Sequence, residues 1–237
     1  MIDIHSHILP GIDDGSSSIG ETKELLLRSY SQGVHHIVAT PHFYASHISF
    51  DKFLSRRERA YKKVCDEKLD WPQVPEISVG AEVYFFPNMS SADRLTELCT
   101  VGTDIILIEM PFAQWQENVY TEIKNIIKKR KLFVIIAHVE RYYEFQKKKD
   151  VWNKVMDLPV IPQLNTGAFL NRKSRKFCLK FMKEHDDILL GSDCHNMNNR
   201  LPNLPEGREI IEKKFGRERL DRIDALGERI FLEHTIN

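Results

Sequence analysis

The chain begins Met1-Ile2-Asp3-Ile4-His5-Ser6-His7 and continues Ile8-Leu9-Pro10-Gly11-Ile12-Asp13-Asp14-Gly15. An apolar start reads as a strand, and on a strand residues two apart face the same side. His5 and His7 can therefore point at one ion, with Ser6 turned away. Asp13 and Asp14 follow in a Gly-bounded turn, which can fold one carboxylate back toward the same place. Which of the two makes that reach is open at this level. An HxH pair alone is weak, since two surface imidazoles are the commoner case. Its meaning depends on what the rest of the chain supplies.

Working outward, short apolar runs alternate with longer amphipathic ones. Strands are predicted at 2–5, 34–40, 77–83, 104–108, 132–137, 160–164 and 188–191. Helices are predicted at 21–32, 50–68, 91–99, 117–129, 144–156 and 173–184, with two more helical stretches from Pro205 onward. Gly33 just past the first helix suits a helix end. Seven strand–helix alternations without a composition break imply one parallel α/β domain spanning residues 1–237. Their spacing, roughly thirty residues, suits a closed barrel or a doubly wound sheet.

Composition narrows the function. The 237 residues carry 34 basic and 34 acidic side chains, for zero net charge. A nucleic-acid binder or anionic-membrane binder would show a basic excess. The basic runs at 128–131 and 147–149 read as solvated faces. No apolar run approaches the ~18 residues of a membrane span, and the chain opens in its first strand without a signal-peptide pattern. Cys65, Cys99, Cys178 and Cys194 form no CxxC pair, which argues against a disulfide scaffold and fits a reducing cytoplasm.

The strand ends carry the chemistry. After His5 and His7 come Thr40-Pro41-His42, Gly80-Ala81-Glu82, Ile108-Glu109, Ala137-His138-Val139-Glu140-Arg141, Asn165-Thr166-Gly167 and Gly191-Ser192-Asp193-Cys194-His195. In parallel α/β folds these ends converge on one face. Any one of them has a bland reading as a loop histidine or a solvated strand end. The coincidence at nearly every strand does not. Five imidazoles and four carboxylates without a thiolate suit Mn²⁺, Fe or Zn²⁺. Nine groups exceed the needs of one ion, so two or three ions with a bridging carboxylate are the natural count. Arg141 and Arg200 lie close by in sequence, and a guanidinium beside a metal cluster suggests a phosphate held by a bidentate fork. Phe43, Tyr44, Phe85, Phe86, Phe112 and Trp115 flank the ligands and are candidates either for a phenyl pocket or for ordinary core. Cys194 and Arg200 also form a Cys-x5-Arg pattern like that of cysteine-dependent phosphatases. The intervening residues lack glycine, and the metal reading already uses Asp193 and His195, so the match reads as accidental.

The eleven residues His5 to Gly15, with Ala39-Thr40-Pro41-His42, Gly80-Ala81-Glu82, Ala137-His138-Val139-Glu140-Arg141-Tyr142 and Gly191-Ser192-Asp193-Cys194-His195-Asn196, resemble the polymerase-and-histidinol-phosphatase (PHP) superfamily. More narrowly, the chain resembles the manganese-dependent bacterial protein tyrosine phosphatases of capsule and exopolysaccharide systems, the CpsB/CapC type. The resemblance runs from Met1 to about Arg200. It implies a distorted (β/α)7 barrel with a trinuclear site. By motif, His5, His7, Glu82 and Asp193 would hold one metal. Glu82, Glu109 and His138 would hold a second, and Asp14, His42 and His195 a third. Arg141 and Arg200 would bind phosphate. The implied reaction is hydrolysis of phosphotyrosine on a protein, by analogy the C-terminal tail of a membrane-associated tyrosine kinase controlling polysaccharide export. A PHP phosphatase of a small ester such as histidinol phosphate, or a PHP scaffold without activity, are the alternatives.

Overall fold

A computed structural model describes residues 1–236. Its strands are β1 (Ile2–Ser6), β2 (His36–Ala39), β3 (His42–Phe43), β4 (Glu76–Val79), β5 (Glu82–Tyr84), β6 (Ile105–Glu109), β7 (Phe133–Ile136), β8 (Val160–Asn165) and β9 (Leu189–Gly191). Every pairing among them is parallel. One sheet runs β1-β2-β4 and the other β3-β5-β6-β7-β8-β9.

The two sheets are segments of one curled surface. The predicted strand at 34–40 ends early, because Pro41 has no N–H to give to a ladder; β2 and β3 lie either side of it. The predicted strand at 77–83 is likewise split into β4 and β5 at Gly80-Ala81. Hydrogen bonds still cross both breaks: Gly80 N donates to Ala39 O (2.8 Å) and Glu82 N to Pro41 O (3.0 Å). At the other margin β9 meets β1, where Asp193 N donates to His5 O (2.9 Å) and His7 N to Cys194 O (2.8 Å). The result is seven parallel staves, two of them interrupted beside the site.

Helices α1 (Ile19–Ser31), α2 (Phe50–Glu67), α3 (Glu117–Arg130), α4 (Asp150–Met156), α5 (Arg172–Glu184), α6 (Leu204–Phe215) and α7 (Arg217–Glu233) complete the chain. Ser18 and Ser49 cap α1 and α2, their side chains accepting from Glu21 N and Lys52 N, which satisfies otherwise orphaned donors. Two helix predictions change. The stretch 91–99 forms only 3-10 turns, Met89–Ser91 and Leu95–Leu98, since so short a segment cannot offset helix nucleation. The helix predicted from Glu144 starts at Asp150. Before it, buried Gln146 ties the loop down by accepting from Trp115 N (2.9 Å) and donating to Ala113 O (2.9 Å).

Alternation along the strands separates two cores. Ile4, Ile105, Leu107, Ile135 and Leu189 pack with Leu226 and Ile230 of α7. Ile106, Ile108, Val134 and Ile136 face the surrounding helices in a larger cluster. Full burial of a Leu or Ile is worth about 1.5–3 kcal/mol, so the C-terminal helix is a structural part of the barrel. The apolar filling below leaves the carboxyl ends of the strands to polar side chains.

Candidate metal centre

Nine side chains meet at those carboxyl ends. They form four overlapping groups in which the offered N and O atoms lie within 4.8 Å of one another: His7, Asp14, His42 and His195; His5, Glu82 and His138; His5, His7 and Asp193; His42, Glu82 and Glu109. The structure thus brings together all nine residues singled out by motif. Glu82 sits at the centre. Its Oε1 is 2.7 Å from His138 Nε2, and its Oε2 is 2.9 Å from His42 Nδ1, 3.2 Å from His5 Nε2 and 3.3 Å from His7 Nε2. The grouping differs in detail from the motif partition: Glu109 stands with His42, and His138 with His5. Shared residues make the two descriptions compatible, because one carboxylate has two oxygens and one imidazole two nitrogens.

Asp13 and Asp14 separate by burial. The Asp13 side chain is 5% exposed and its Oδ2 accepts from His7 Nδ1 at 2.8 Å and from His42 N at 3.0 Å. Asp14 is 65% exposed, with Oδ1 3.5 Å from His42 Nε2 and 3.4 Å from His195 Nε2. Asp13 therefore orients a histidine, and Asp14 faces the cluster.

Three of the five imidazoles, those of His5, His7 and His195, are oriented through Nδ1. Gln163 Oε1 accepts from His138 N (2.7 Å), which fixes its amide orientation, so His5 Nδ1 at 3.1 Å must donate to the same oxygen. His7 Nδ1 donates to Asp13, and His195 Nδ1 donates to Asp193 O at 3.0 Å. Each ring then presents a bare Nε2 lone pair inward. His5 Nε2 and His7 Nε2 face each other at 3.2 Å. Glu82 Oε2 and His195 Nε2 are buried without a donor. Opposed lone pairs and orphaned buried acceptors are costly unless a cation lies among them. The residues present fit a hard or borderline metal.

Backbone strain sits at the same place. His138 and Asp193 have φ of +29° and +52°, each costing about 1–3 kcal/mol for a non-glycine residue. Two glycines give the close approach: a Cβ at Gly15 would lie 2.2 Å from His7 O, and one at Gly191 2.7 Å from His5 Cβ.

The electrostatics follow from burial opposed by pairing. Burial raises the Glu82 and Asp193 pKa values, yet the surrounding histidines outweigh it and hold both well below the carboxylate range. Burial lowers His5 and His7, and Glu82, Asp193 and Asp13 reverse the sign. Glu109 is pushed up to about 7, first by burial and then by Glu82. Two carboxylates this close repel by about 3–4 kcal/mol at an effective dielectric near 20. Groups whose folded pKa is raised contribute stability that is present below their unfolded value and lost as pH rises through the folded one. His5, His7 and Glu109 all act in this direction. His138 and His195 are lowered, mainly by burial, and act oppositely only below about 6.5. Chelated, metal-free protein should therefore lose several degrees of Tm between about pH 6.5 and 8.5, at ~2–4 °C per kcal/mol. A Tm that is level or rises across that interval contradicts this charge assignment.

A family model described as capsular polysaccharide synthesis, CpsB/CapC, matches residues 1–229. The chain is 32% identical over 231 residues to tyrosine-protein phosphatase CpsB of Streptococcus pneumoniae, covering 91% of each. It is 29% identical over 238 residues to tyrosine-protein phosphatase CpsB of Streptococcus agalactiae serotype III, covering 94% of each. The chain belongs to the CpsB/CapC family. In fold it matches a structure from work on YwqE of Bacillus subtilis and CpsB of Streptococcus pneumoniae, described there as metal-dependent tyrosine phosphatases. That match has a TM-score of 0.84 at 24% identity and covers 100% of this chain and 96% of that one. The barrel is thus of the distorted PHP type.

Both arginines of this family member stand at the cluster's rim. Arg200 Nη2 lies 2.8 Å from Asp193 Oδ2 and its Nη1 3.8 Å from Asp14 Oδ2. Arg141 Nη1 lies 3.8 Å from the same Asp193 oxygen, with its guanidinium 4.9 Å from the centre of the Phe112 ring. They border a cleft of about 570 Å³ that opens beside Asp193.

Four residues outside the nine support the cluster, and of these Gln163 carries no sequence signal of its own. Gln163 orients His5 and His138. Asn165 Nδ2 donates to Asp193 Oδ2 (2.8 Å). The Tyr142 hydroxyl accepts from Met110 N (3.0 Å) and meets His138 Nδ1 at 2.9 Å. Tyr44 Oη donates toward Glu109 Oε2 at 3.3 Å. Of the six aromatics proposed to wall a phenyl pocket, Phe43, Phe85 and Trp115 are buried core; Tyr44, Phe86 and Phe112 remain half-buried. Cys194 is fully buried, and burial, then Asp3, pushes its thiol up to about 12. Arg200 turns to Asp193. The Cys-x5-Arg spacing therefore builds no thiolate phosphate loop.

Proposed function

We propose that this chain is a metal-dependent phosphatase that hydrolyses phosphotyrosine on protein, with residues 1–237 acting as one PHP-type domain. The observation that carries this reading is the set of nine side chains around Glu82, with bare nitrogens turned inward and two arginines at the rim. His5, His7, Glu82 and Asp193 would hold one ion, Glu82, Glu109 and His138 a second, and Asp14, His42 and His195 a third. The mixed N/O donors favour Mn²⁺, with Fe or Zn²⁺ as substitutes. Bound metal supplies Lewis acidity, which lowers the pKa of water and offsets phosphoryl charge.

The chain's own residues do the remainder. Arg141 and Arg200 grip the phosphoryl oxygens from the cleft side and neutralise charge there. Asp193 and Phe112 set the directions of the two guanidinium groups. Gln163, Asp13 and Asn165 hold the ligands so that little rearrangement is needed. A tyrosine leaving group has a pKa of about 10 and departs more easily than a serine alkoxide, so a weak general acid suffices for an aryl ester. The relatives named tyrosine-protein phosphatase support the same substrate class. A phosphorylated C-terminal tail of a bacterial tyrosine kinase, met in the cytoplasm during polysaccharide export, is the partner this reading favours. No helix among the described residues is long and apolar enough to cross a membrane.

The test is metal analysis of purified protein with phosphotyrosine-peptide and histidinol phosphate assays before and after exhaustive chelation, run beside Cys194→Ala. Peptide hydrolysis should vanish on chelation and return with Mn²⁺. Cys194→Ala should stay within about twofold of the unsubstituted protein, its thiol being buried and protonated. Activity that survives complete metal removal, or that requires Cys194, refutes the mechanism.

A further inference from the structure

The cleft beside Arg141 and Arg200 does not end at the phosphate position. Its far wall is Tyr143, Lys173 and Phe177. The same three residues begin a second groove of about 400 Å³ that runs along α5 past Trp152, Lys176 and Lys180 to His185. The two cavities adjoin across this shared wall. The floor of the second is aromatic: Phe177 packs on Tyr143 (ring centres 4.7 Å apart) and on Phe181 (5.5 Å), and His185 stacks on Phe181 at 4.0 Å.

The rim is cationic to a degree the chain as a whole is not. Helix α5 carries Arg172, Lys173, Arg175, Lys176, Lys180 and Lys183 against Glu184 alone, in a protein of zero net charge. Arg175 is committed to the carbonyls of Phe169 and Leu170, and Lys173 to Glu144 at 2.7 Å. Lys180 makes only a long, exposed contact with Glu184 at 3.7 Å, a kind of pair worth little. Lys176 has no ion pair among the described residues. Across the groove, the Lys149 ammonium lies 3.3 Å from the centre of the Tyr143 ring. Lys149 also donates to Tyr143 O at 2.9 Å, and Asp157 and Glu184 are the acidic groups of the lining. An aromatic floor edged by the uncommitted Lys176 and the weakly paired Lys180 complements an extended peptide with carboxylates at its edge and apolar side chains beneath.

We propose that the α5 groove binds an acidic segment of the substrate polypeptide whose phosphotyrosine occupies the arginine cleft. This rests on the phosphatase reading above and adds to it a selectivity for acidic flanking sequence. The charge acts on capture of the substrate, since the groove lies outside the metal cluster.

The experiment uses Lys176→Glu/Lys180→Glu in the full chain, with Lys176→Gln/Lys180→Gln as a milder companion; both lysines are solvent-exposed. Three substrates are compared: a Glu-flanked phosphotyrosine peptide, a Gly/Ser-flanked one and p-nitrophenyl phosphate. The ratio of kcat/KM for the acidic peptide to that for p-nitrophenyl phosphate should fall about tenfold in the Glu variant, through KM, and by less in the Gln variant. The preference for the acidic peptide should also shrink with added salt. An unchanged ratio overturns the proposal. So does an unsubstituted protein that hydrolyses both peptides equally, which leaves the phosphatase reading intact. Fluorescence anisotropy of the labelled acidic peptide separates the two ideas: lysine-dependent binding without hydrolysis of any phosphotyrosine substrate refutes the phosphatase reading and keeps the groove. Binding to phosphatidylglycerol vesicles that is lost in the Glu variant, with peptide kinetics unaltered, assigns the patch to a lipid surface and also overturns the proposal.

Discussion

Glu82→Gln should lower kcat/KM for a phosphotyrosine peptide by on the order of a thousandfold, about 4 kcal/mol of transition-state stabilisation. The side chain keeps its size, so the barrel should remain folded. What changes is the donor set. One carboxylate oxygen faces His138 at 2.7 Å and the other faces His42, His5 and His7 within 3.3 Å. An amide replaces one of these acceptors by an NH₂ group, which cannot bind a cation. It also removes the negative charge shared by two of the three smaller groupings, His5–Glu82–His138 and His42–Glu82–Glu109. The purified variant should retain at least one fewer metal ion per chain than the unsubstituted protein. Metal analysis and peptide kinetics check both statements. Full metal content with more than a tenth of the original activity would remove Glu82 from the centre of the site.

Arg200→Ala should cost about a hundredfold in kcat/KM, and Arg141→Ala a comparable amount, while bound metal is retained. Removing one preorganised charged donor from a developing oxyanion typically costs 10²–10³. Lysine should restore only part of the loss, because a point charge does not reproduce a planar fork. There is a competing account for Arg200. Its Nη2 is 2.8 Å from Asp193 Oδ2, so its loss can act by releasing that carboxylate. Asn165 Nδ2 holds the same oxygen at 2.8 Å, which should keep Asp193 in place. The two accounts differ in their response to metal: a direct phosphate contact leaves the defect in place at saturating Mn²⁺. Full recovery on raising Mn²⁺ would make Arg200 a positioning residue, and a loss below about threefold would exclude both roles.

Much of the site is visible in the chain as a list of donors. His5 and His7 are paired by the period of a strand, and His42, Glu82, Glu109, His138, Asp193 and His195 each follow a short apolar run. Spacing says less about what holds them. Gln163 and Asn165 lie on one strand, and their partners His5, His138 and Asp193 lie on others. No local pattern marks a glutamine whose oxygen serves two elements 25 and 158 residues away. The same limit explains the aromatics: Phe43 and Phe112 both flank ligands in sequence, yet one is fully buried in the core and the other faces Arg141.

The amino-acid order by itself determined a parallel α/β domain, open between a closed barrel and a doubly wound sheet, the convergence of strand ends on one face, and the donor chemistry of the nine candidate ligands. These follow from periodicity and residue type, which are local properties. Only the tertiary structure decided between Asp13 and Asp14, because both sit in one turn and differ only in what lies opposite. It likewise decided where two strands break, that α7 fills the barrel's lower end, and that Cys194 is sealed in the core. It also joined the arginine cleft to the lysine-rimmed groove on α5. Each of these depends on distance across the fold between residues far apart in the chain, which a sequence pattern does not carry.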